Sequence, residues 1–239
     1  MRIAIAVVSA TQAWVMPRRF VDELRREFPH HTFVDAPDRD HLPATLMDAD
    51  AAFASAVPSD LVPSLTRLRW VQVPAAGVGH VLSPEVIASP IVLTSARGVR
   101  ARAIAEHVMG VTIALARQLH VALRRQAAHT WALDELDTPG RIITLHDRRM
   151  GIVGLGSIGT EVAALASAFG MRVSGIRRRV AASPPPGVER VLPPDALTTL
   201  LADSDIIVLS APLVLAYAML PRHDGNAIQP SPNRQSRRP

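Results

Sequence analysis

The 239-residue chain has no cysteine, and every one of its 26 basic residues is arginine. Without cysteine there is no disulfide framework, thiol nucleophile or zinc–thiolate site, a composition that fits a cytoplasmic protein. There is also no apolar run long enough to span a bilayer, so no membrane association is expected. The formal net charge of +5 and the pI near 11.1 invite a nucleic-acid reading. The charge is concentrated at one end, however: from Leu215 on, four arginines (Arg222, Arg234, Arg237, Arg238) face only Asp224, which supplies +3 of the +5. The rest is close to neutral, and nucleic acid is not an expected partner.

What is present is the patterning of an α/β protein. With 48% hydrophobic and 20% charged residues the composition is ordinary for a globular fold, and the length allows one large domain or two small ones. "RIAIAVV", "HTFVDA", "AAFASAV", "RWVQVPA" and "PIVLTSA" read as strands over the first 96 residues. They are continuous apolar runs rather than in/out alternations, as in a parallel sheet covered on both faces. The opening "MRIAIAVVSATQA" has a charge and a short apolar run, as a signal peptide would, but leads straight into an amphipathic stretch, so it is read as the first strand. Between the strands lie "PRRFVDELRREF", with proline at a helix's first turn, and weaker helical stretches at "LPATLMDA" and "SDLVPSLTRL". Alternation of this kind argues for an open α/β layer structure.

A long helix is expected over 101–126, with Ile104, Val108, Val111, Leu115 and Leu119 as a continuous apolar stripe. "LDTPGR" then breaks the pattern. A second α/β unit follows: strand "MGIVGLG", a helix over 157–169 with Ile158, Val162, Leu165 and Phe169 on its buried face, a stop at Gly170, and strand "MRVSGIR". After these come a short strand near "VERVL", helix "PDALTTLLA" and strand "DIIVLSA". Residues 215–239 are rich in proline, arginine, serine and asparagine without a period and read as a disordered tail.

The chemistry sits in "GLGSIG". Gly154, Gly156 and Gly159 match G-x-G-x-x-G between a strand and a helix, the context in which that motif cradles a pyrophosphate. Gly154 permits the tight turn, Gly156 lets phosphate approach the backbone, and Gly159 lets helix and strand pack closely. The alternative is a glycine-rich turn without function. A site for NAD usually carries an acidic residue at the end of the next strand to accept the ribose 2′-OH. This sequence has Arg177, Arg178 and Arg179 there. Arginine clasps a 2′-phosphate instead, at about 1.5–3 kcal/mol per charge-assisted bond, so NADP is expected in preference to NAD; the alternative is a solvated basic turn.

Three stretches, "VPAAGVGHVL" (73–82), "IVLTSARGVRARAIAEHVMGVTIALAR" (91–117) and "RRMGIVGLGSIGTEVAALASAFGMRVSGIRR" (148–178), carry a resemblance to the D-isomer-specific 2-hydroxyacid dehydrogenase family, in its glyoxylate/hydroxypyruvate reductase-like branch. The resemblance implies a flavodoxin-like substrate domain over 1–96 and a Rossmann-type, doubly wound NAD(P)-binding domain over 97–214. It further implies dimerisation through the second domain. Ala76, Gly77 and Val78 would hold a substrate carboxylate, and Gly154, Gly156, Ser157, Ile158, Gly159, Arg177, Arg178, Ala211 and Pro212 would line the cofactor. The implied partner is a small 2-oxo or 2-hydroxy acid. The arginine, glutamate and histidine that the family uses in hydride transfer belong to segments beyond the "DIIVLSAP" strand, and past Leu213 the resemblance stops. The nucleotide domain is therefore expected to be incomplete and truncated at its C-terminal end, with "DIIVLSA" an unprotected sheet edge. Arg97, His80, His107 and His223 do not stand in for the missing groups: the first three sit in segments with other uses and His223 lies in the tail. No catalytic residue and no metal ligand set is assigned. Three readings follow: an NADP-linked 2-oxo acid reductase by descent, a catalytically silent nucleotide-binding or dimerising protein, and a frameshifted fragment with little or no activity.

Overall fold

The computed structural model describes residues 1–8, 15–179 and 183–211. The protein divides into two compact units, Met1–Arg102 and Ala103–Pro239, and each is built on its own parallel sheet. The expected tail at 215–239 lies outside the described residues.

In the first unit the apolar runs form β1 (Arg2–Ala6), β2 (Thr32–Asp35), β3 (Ala51–Ala54), β4 (Trp70–Val73) and β5 (Val92–Ser95). They pair in the order β2-β1-β3-β4-β5, every pair parallel, which is the flavodoxin-like order. One face buries Ala4, Ala6, Ala52, Ala54, Val71 and Val73 beside Leu46 and Leu68. On the other, Ile5 and Phe33 receive Val21 of α1 (Arg18–Glu27). Helix α2 spans Leu42–Met47. "SDLVPSLTRL" forms a 3₁₀ turn, Ser59–Ser64, instead of an α-helix, since Pro63 has no N–H for an α ladder. A further helix, α3 (Pro84–Ala88), is not among the elements expected from sequence. Its signal is Ser83, whose hydroxyl accepts from the Val86 amide at 3.2 Å, followed by proline in the first turn.

The expected helix over 101–126 is two helices, α4 (Ala101–Ala116) and α5 (Leu119–Ala127). The break has a specific cause. The Ala116 carbonyl, which would accept from residue 120 in a continuous helix, accepts from Ile143 N–H at 2.9 Å. Gln118 turns to φ 55° and returns its side-chain amide to the Leu115 carbonyl at 3.0 Å. The expected apolar stripe is also not the buried one: α4 packs Ala105, Met109 and Ala116 into the core, while Val111, Leu115 and Leu119 are exposed.

After α6 (Leu133–Leu136) come β6 (Arg149–Val153), α7 (Ser157–Ala168), β7 (Arg172–Ile176), β8 (Arg190–Leu192), α8 (Leu197–Asp203) and β9 (Ile206–Leu209). Their order, β8-β7-β6-β9, is the 3-2-1-4 portion of the doubly wound sheet. Among the described strands β9 lies at the edge, with Ile207 and Leu209 exposed. Helix α7 buries Gly159, Val162, Ala163 and Ala166, small residues that let it lie close on the sheet. Ile158 and Leu165 are only partly buried, and Phe169, expected inside, is exposed because it is the C-cap residue just before the backbone reverses. Gly170, at φ 71°, ends the helix, with Met171 N–H bonded to the Ala166 carbonyl at 3.1 Å. Among the described residues no helix is long and apolar enough to cross a membrane.

Both sheets are clamped at the foot of their first strand in the same way. Asp50 Oδ2 accepts the Arg2 amide at 2.7 Å and Asp50 N–H donates to the Arg2 carbonyl at 2.8 Å. Asp205 Oδ2 accepts the Arg149 amide at 2.9 Å and Asp205 N–H returns to the Arg149 carbonyl, also at 2.9 Å. The Arg2 amide, then the Arg67 guanidinium, hold the Asp50 carboxyl below its ordinary value. For Asp205, partial burial pushes the carboxyl up, but the Arg149 amide and guanidinium outweigh it and the net direction is down. A carboxyl lowered in the folded state adds stability in full above the unfolded pKa of about 3.9 and loses it as pH falls through the lower folded value. Asp205→Asn is therefore expected to lower stability by about 1 kcal/mol at neutral pH. In urea unfolding, the gap from wild type closes as the medium is acidified below about pH 4; a gap that persists in acid contradicts the clamp.

Candidate nucleotide-binding site

The site grows from the end of β6. Val153 is buried in the sheet, and the backbone leaves it through Gly154 at φ 106°, a conformation that only glycine adopts without strain. A Cβ at Gly154 would lie 2.8 Å from the Ala211 nitrogen, so the segment after β9 runs directly against this turn. Leu155 turns inward, 2% exposed, over Gly175 of β7, where a Cβ would collide with it at 2.7 Å. The Gly154 and Leu155 amides both donate to the Ile176 carbonyl, at 3.2 and 2.9 Å. Two neighbours thus hold the turn before its glycines meet any ligand.

Gly156 is the N-cap of α7, extended at φ −87°, and the helix has no side-chain cap. The amides of Gly156, Ser157 and Ile158 have no acceptor among the described residues. Unpaired donors at the positive end of a 12-residue helix form a seat for an anion. Gly159 lies one turn into the helix, where a Cβ would strike the Gly154 carbonyl and come within 3.0 Å of Ser210 Oγ. Gly154, Gly156, Ser157, Ile158, Gly159 and Ala211 are thus gathered at one end of the sheet, at the switch point between β6 and β9. Pro212 lies outside the described residues.

Arg177 follows β7 directly, its amide bonded to the Leu192 carbonyl at 3.1 Å. The side chains of Arg177 and Arg178 are exposed and meet no acidic partner among the described residues. These residues fit a dinucleotide: a backbone anion seat, a close approach that a larger residue would block, and guanidinium groups at the end of the adjacent strand. Ala76, Gly77 and Val78 belong to the first unit, in the loop after β4; Ala76 and Gly77 are exposed, and Val78 packs partly against that unit's core. In the same unit His80 Nε2 lies 3.1 Å from the Ser55 carbonyl, which can only accept, so that nitrogen carries the proton.

Two residues of this site are not among those expected from sequence. Gly175 stands mid-strand, where it makes room for Leu155. Ser210 donates to the Gly154 carbonyl at 2.6 Å. Its only signal in the sequence is its place at the end of the strand that adjoins β6.

Residues 109–217 match the family model described as the NAD-binding domain of D-isomer-specific 2-hydroxyacid dehydrogenases. The sequence is 28% identical over 183 residues to D-3-phosphoglycerate dehydrogenase of Mycobacterium bovis, a match covering 75% of this protein and 34% of that one. It is 28% identical over 187 residues to glyoxylate reductase of Thermofilum pendens, covering 74% and 53%. Among solved structures, a D-isomer-specific 2-hydroxyacid dehydrogenase family protein from Aeromonas salmonicida superposes with a TM-score of 0.67 at 25% identity, covering 88% of this protein and 64% of that one. The matches thus span about a third to a half of the length of these curated relatives.

Gly159→Ala forces a methyl between α7 and the Gly154 carbonyl, and overpacking of this kind costs about 1–3 kcal/mol. The expected result is a lower urea midpoint for the second unit. An unchanged midpoint means that helix and turn are looser than this geometry requires.

Proposed function

We propose that the protein is a member of the D-isomer-specific 2-hydroxyacid dehydrogenase family, whose NAD-binding domain its residues 109–217 match, and that it provides the nicotinamide-dinucleotide seat of an oxidoreductase acting on a small 2-oxo acid such as glyoxylate or hydroxypyruvate. The observation that carries this reading is the turn at Gly154–Gly159, with three amides at the N-terminus of α7 that have no acceptor among the described residues. The dinucleotide, when bound, supplies or accepts the hydride exchanged with C2 of the acid. The part of these residues is to bind the pyrophosphate on the amides of 156–158, to admit it past Gly156, and to hold the adenosine ribose beside Arg177. We assign NADP as the preferred cofactor: Arg177 and Arg178 offer donors for a 2′-phosphate and no acceptor for a 2′-OH. Substrate carboxylate binding by the backbone of Ala76, Gly77 and Val78 is part of the same proposal.

A polypeptide of this sequence alone is expected to bind NADPH and to oxidise it with glyoxylate or hydroxypyruvate no faster than buffer does. The arginine, glutamate and histidine that the resemblance calls for are not found among its residues. A positioned acid–base group by itself is worth about 10²–10⁴ in rate. Titration of NADPH fluorescence tests the seat, and absorbance at the nicotinamide band tests turnover. Arg177→Asp is expected to weaken NADPH binding by roughly tenfold to a few hundredfold and to bring NADH binding level with it or above. Equal NADPH and NADH affinities in the wild type contradict the cofactor assignment, and steady turnover contradicts the silent reading.

We also propose that the second unit pairs with another copy of itself. Val111, Leu115, Leu119, Leu123, Trp131 and Leu133 are 45, 58, 44, 63, 87 and 56% exposed, and the last four of them line one apolar hollow between α5 and α6. Exposed apolar surface of this extent marks an association site. Leu115→Glu is expected to convert a dimer into a monomer in sedimentation velocity, and a wild-type monomer contradicts the proposal.

A further inference from the structure

We infer that Ser210 is a positioning residue for the dinucleotide: its hydroxyl sets the plane of the Gly154–Leu155 peptide and thereby aims the α7 amides at the pyrophosphate. The inference rests on the nucleotide-binding reading above and adds a residue to it.

That peptide bond is held at both ends. On one side Ser210 Oγ donates to the Gly154 carbonyl at 2.6 Å. On the other, Leu155 N–H donates to the Ile176 carbonyl at 2.9 Å. Glycine at φ 106° has an unusual freedom: its following peptide can turn over with little steric penalty, since there is no Cβ to oppose it. Turning the plane would break both bonds at once. It would also alter the direction in which the backbone enters Gly156 and the first turn of α7, whose amides make the anion seat. Gly159 leaves the other side open to that carbonyl, since a Cβ there would strike the Gly154 carbonyl and come within 3.0 Å of the Ser210 hydroxyl.

Ser210 is fixed in turn by the sheet. Its own amide donates to the Val153 carbonyl at 2.9 Å, continuing the β6–β9 ladder one residue beyond the last strand pair, Val153 with Leu209. The hydroxyl therefore reaches the turn from a backbone anchored at the switch point. Alanine there would keep that ladder bond and lose only the hydroxyl, which separates positioning from sheet formation.

The test uses the full-length protein with four residues at position 210: Ser, Thr, Ala and Cys. Threonine keeps the hydroxyl, alanine removes it, and cysteine keeps the size with a weak donor. Two probes are titrated, NADP⁺ and adenosine 2′-monophosphate, the second having no pyrophosphate. Ser210→Ala and Ser210→Cys are expected to weaken NADP⁺ binding by about three- to tenfold, the worth of one hydrogen bond. Adenosine 2′-monophosphate affinity stays unchanged in both, and Ser210→Thr binds NADP⁺ like the wild type. If the alanine variant does not fold, the cysteine and threonine variants carry the comparison. NADP⁺ affinity unchanged in the alanine and cysteine variants overturns the inference, and so does parallel loss of both probes, which would mark a general loss of structure. A wild type that binds neither NADP⁺ nor NAD⁺ instead overturns the proposed function and the inference with it. A wild type selective for NAD⁺ moves the same comparison to NAD⁺ and adenosine.

Discussion

The second unit depends on the pairing of β6 with β9. β6 carries the backbone into the glycine turn, and β9 supplies the wall against which that turn is pressed. At one end of the pair the carboxylate of Asp205 holds the Arg149 amide. At the other, the Ser210 hydroxyl holds the Gly154 carbonyl. Between them four residues of each strand run in register, Met150 with Ile206 through Val153 with Leu209. A turn at φ 106° is persistent only when its surroundings over-determine it. Here the determinants are Ile176 on one side, Ser210 on the other and Leu155 buried beneath.

The first unit solves the same problem at its own switch point. There Asp50 exchanges two hydrogen bonds with the backbone of Arg2 as β1 meets β3, the counterpart of Asp205 and Arg149. In both sheets the strand after the aspartate is short and apolar. The carboxylate satisfies an amide at the foot of the first strand that the ladder leaves unpaired, and it fixes the register at the same time. In the sequence, a G-x-G-x-x-G pattern follows the first strand only in the second unit.

Much of this is legible in the residues. Continuous apolar runs announce buried parallel strands, and each of the five strands expected in the first unit is found. The glycine spacing marks the turn and the start of α7, and Gly170 marks that helix's end. The linking helix is less legible. Its apolar stripe follows the helical period faithfully, yet the large residues Val111, Leu115 and Leu119 are exposed while Ala105, Met109 and Ala116 face the core. Periodicity identifies a face but not what covers it, and a helix packed close to a sheet prefers small residues on the side it buries. The length of that helix is hidden from sequence because its end is imposed from outside, by Ile143 taking the Ala116 carbonyl.

Local chemistry belongs to the sequence: the glycine that tolerates φ 106°, the proline that shortens a helix to a 3₁₀ turn, the arginines in place of an acid after β7, the lack of any thiol. Such features act within a few residues and can be read in a line. The tertiary structure alone decided which groups would hold the turn. Arg149 and Asp205 are 56 residues apart, as are Gly154 and Ser210. Nothing in the composition of either segment names its partner. Those pairs exist because the sheet order sets β9 beside β6, and a hydrogen bond forms only where the fold has brought donor and acceptor within about 3 Å of each other.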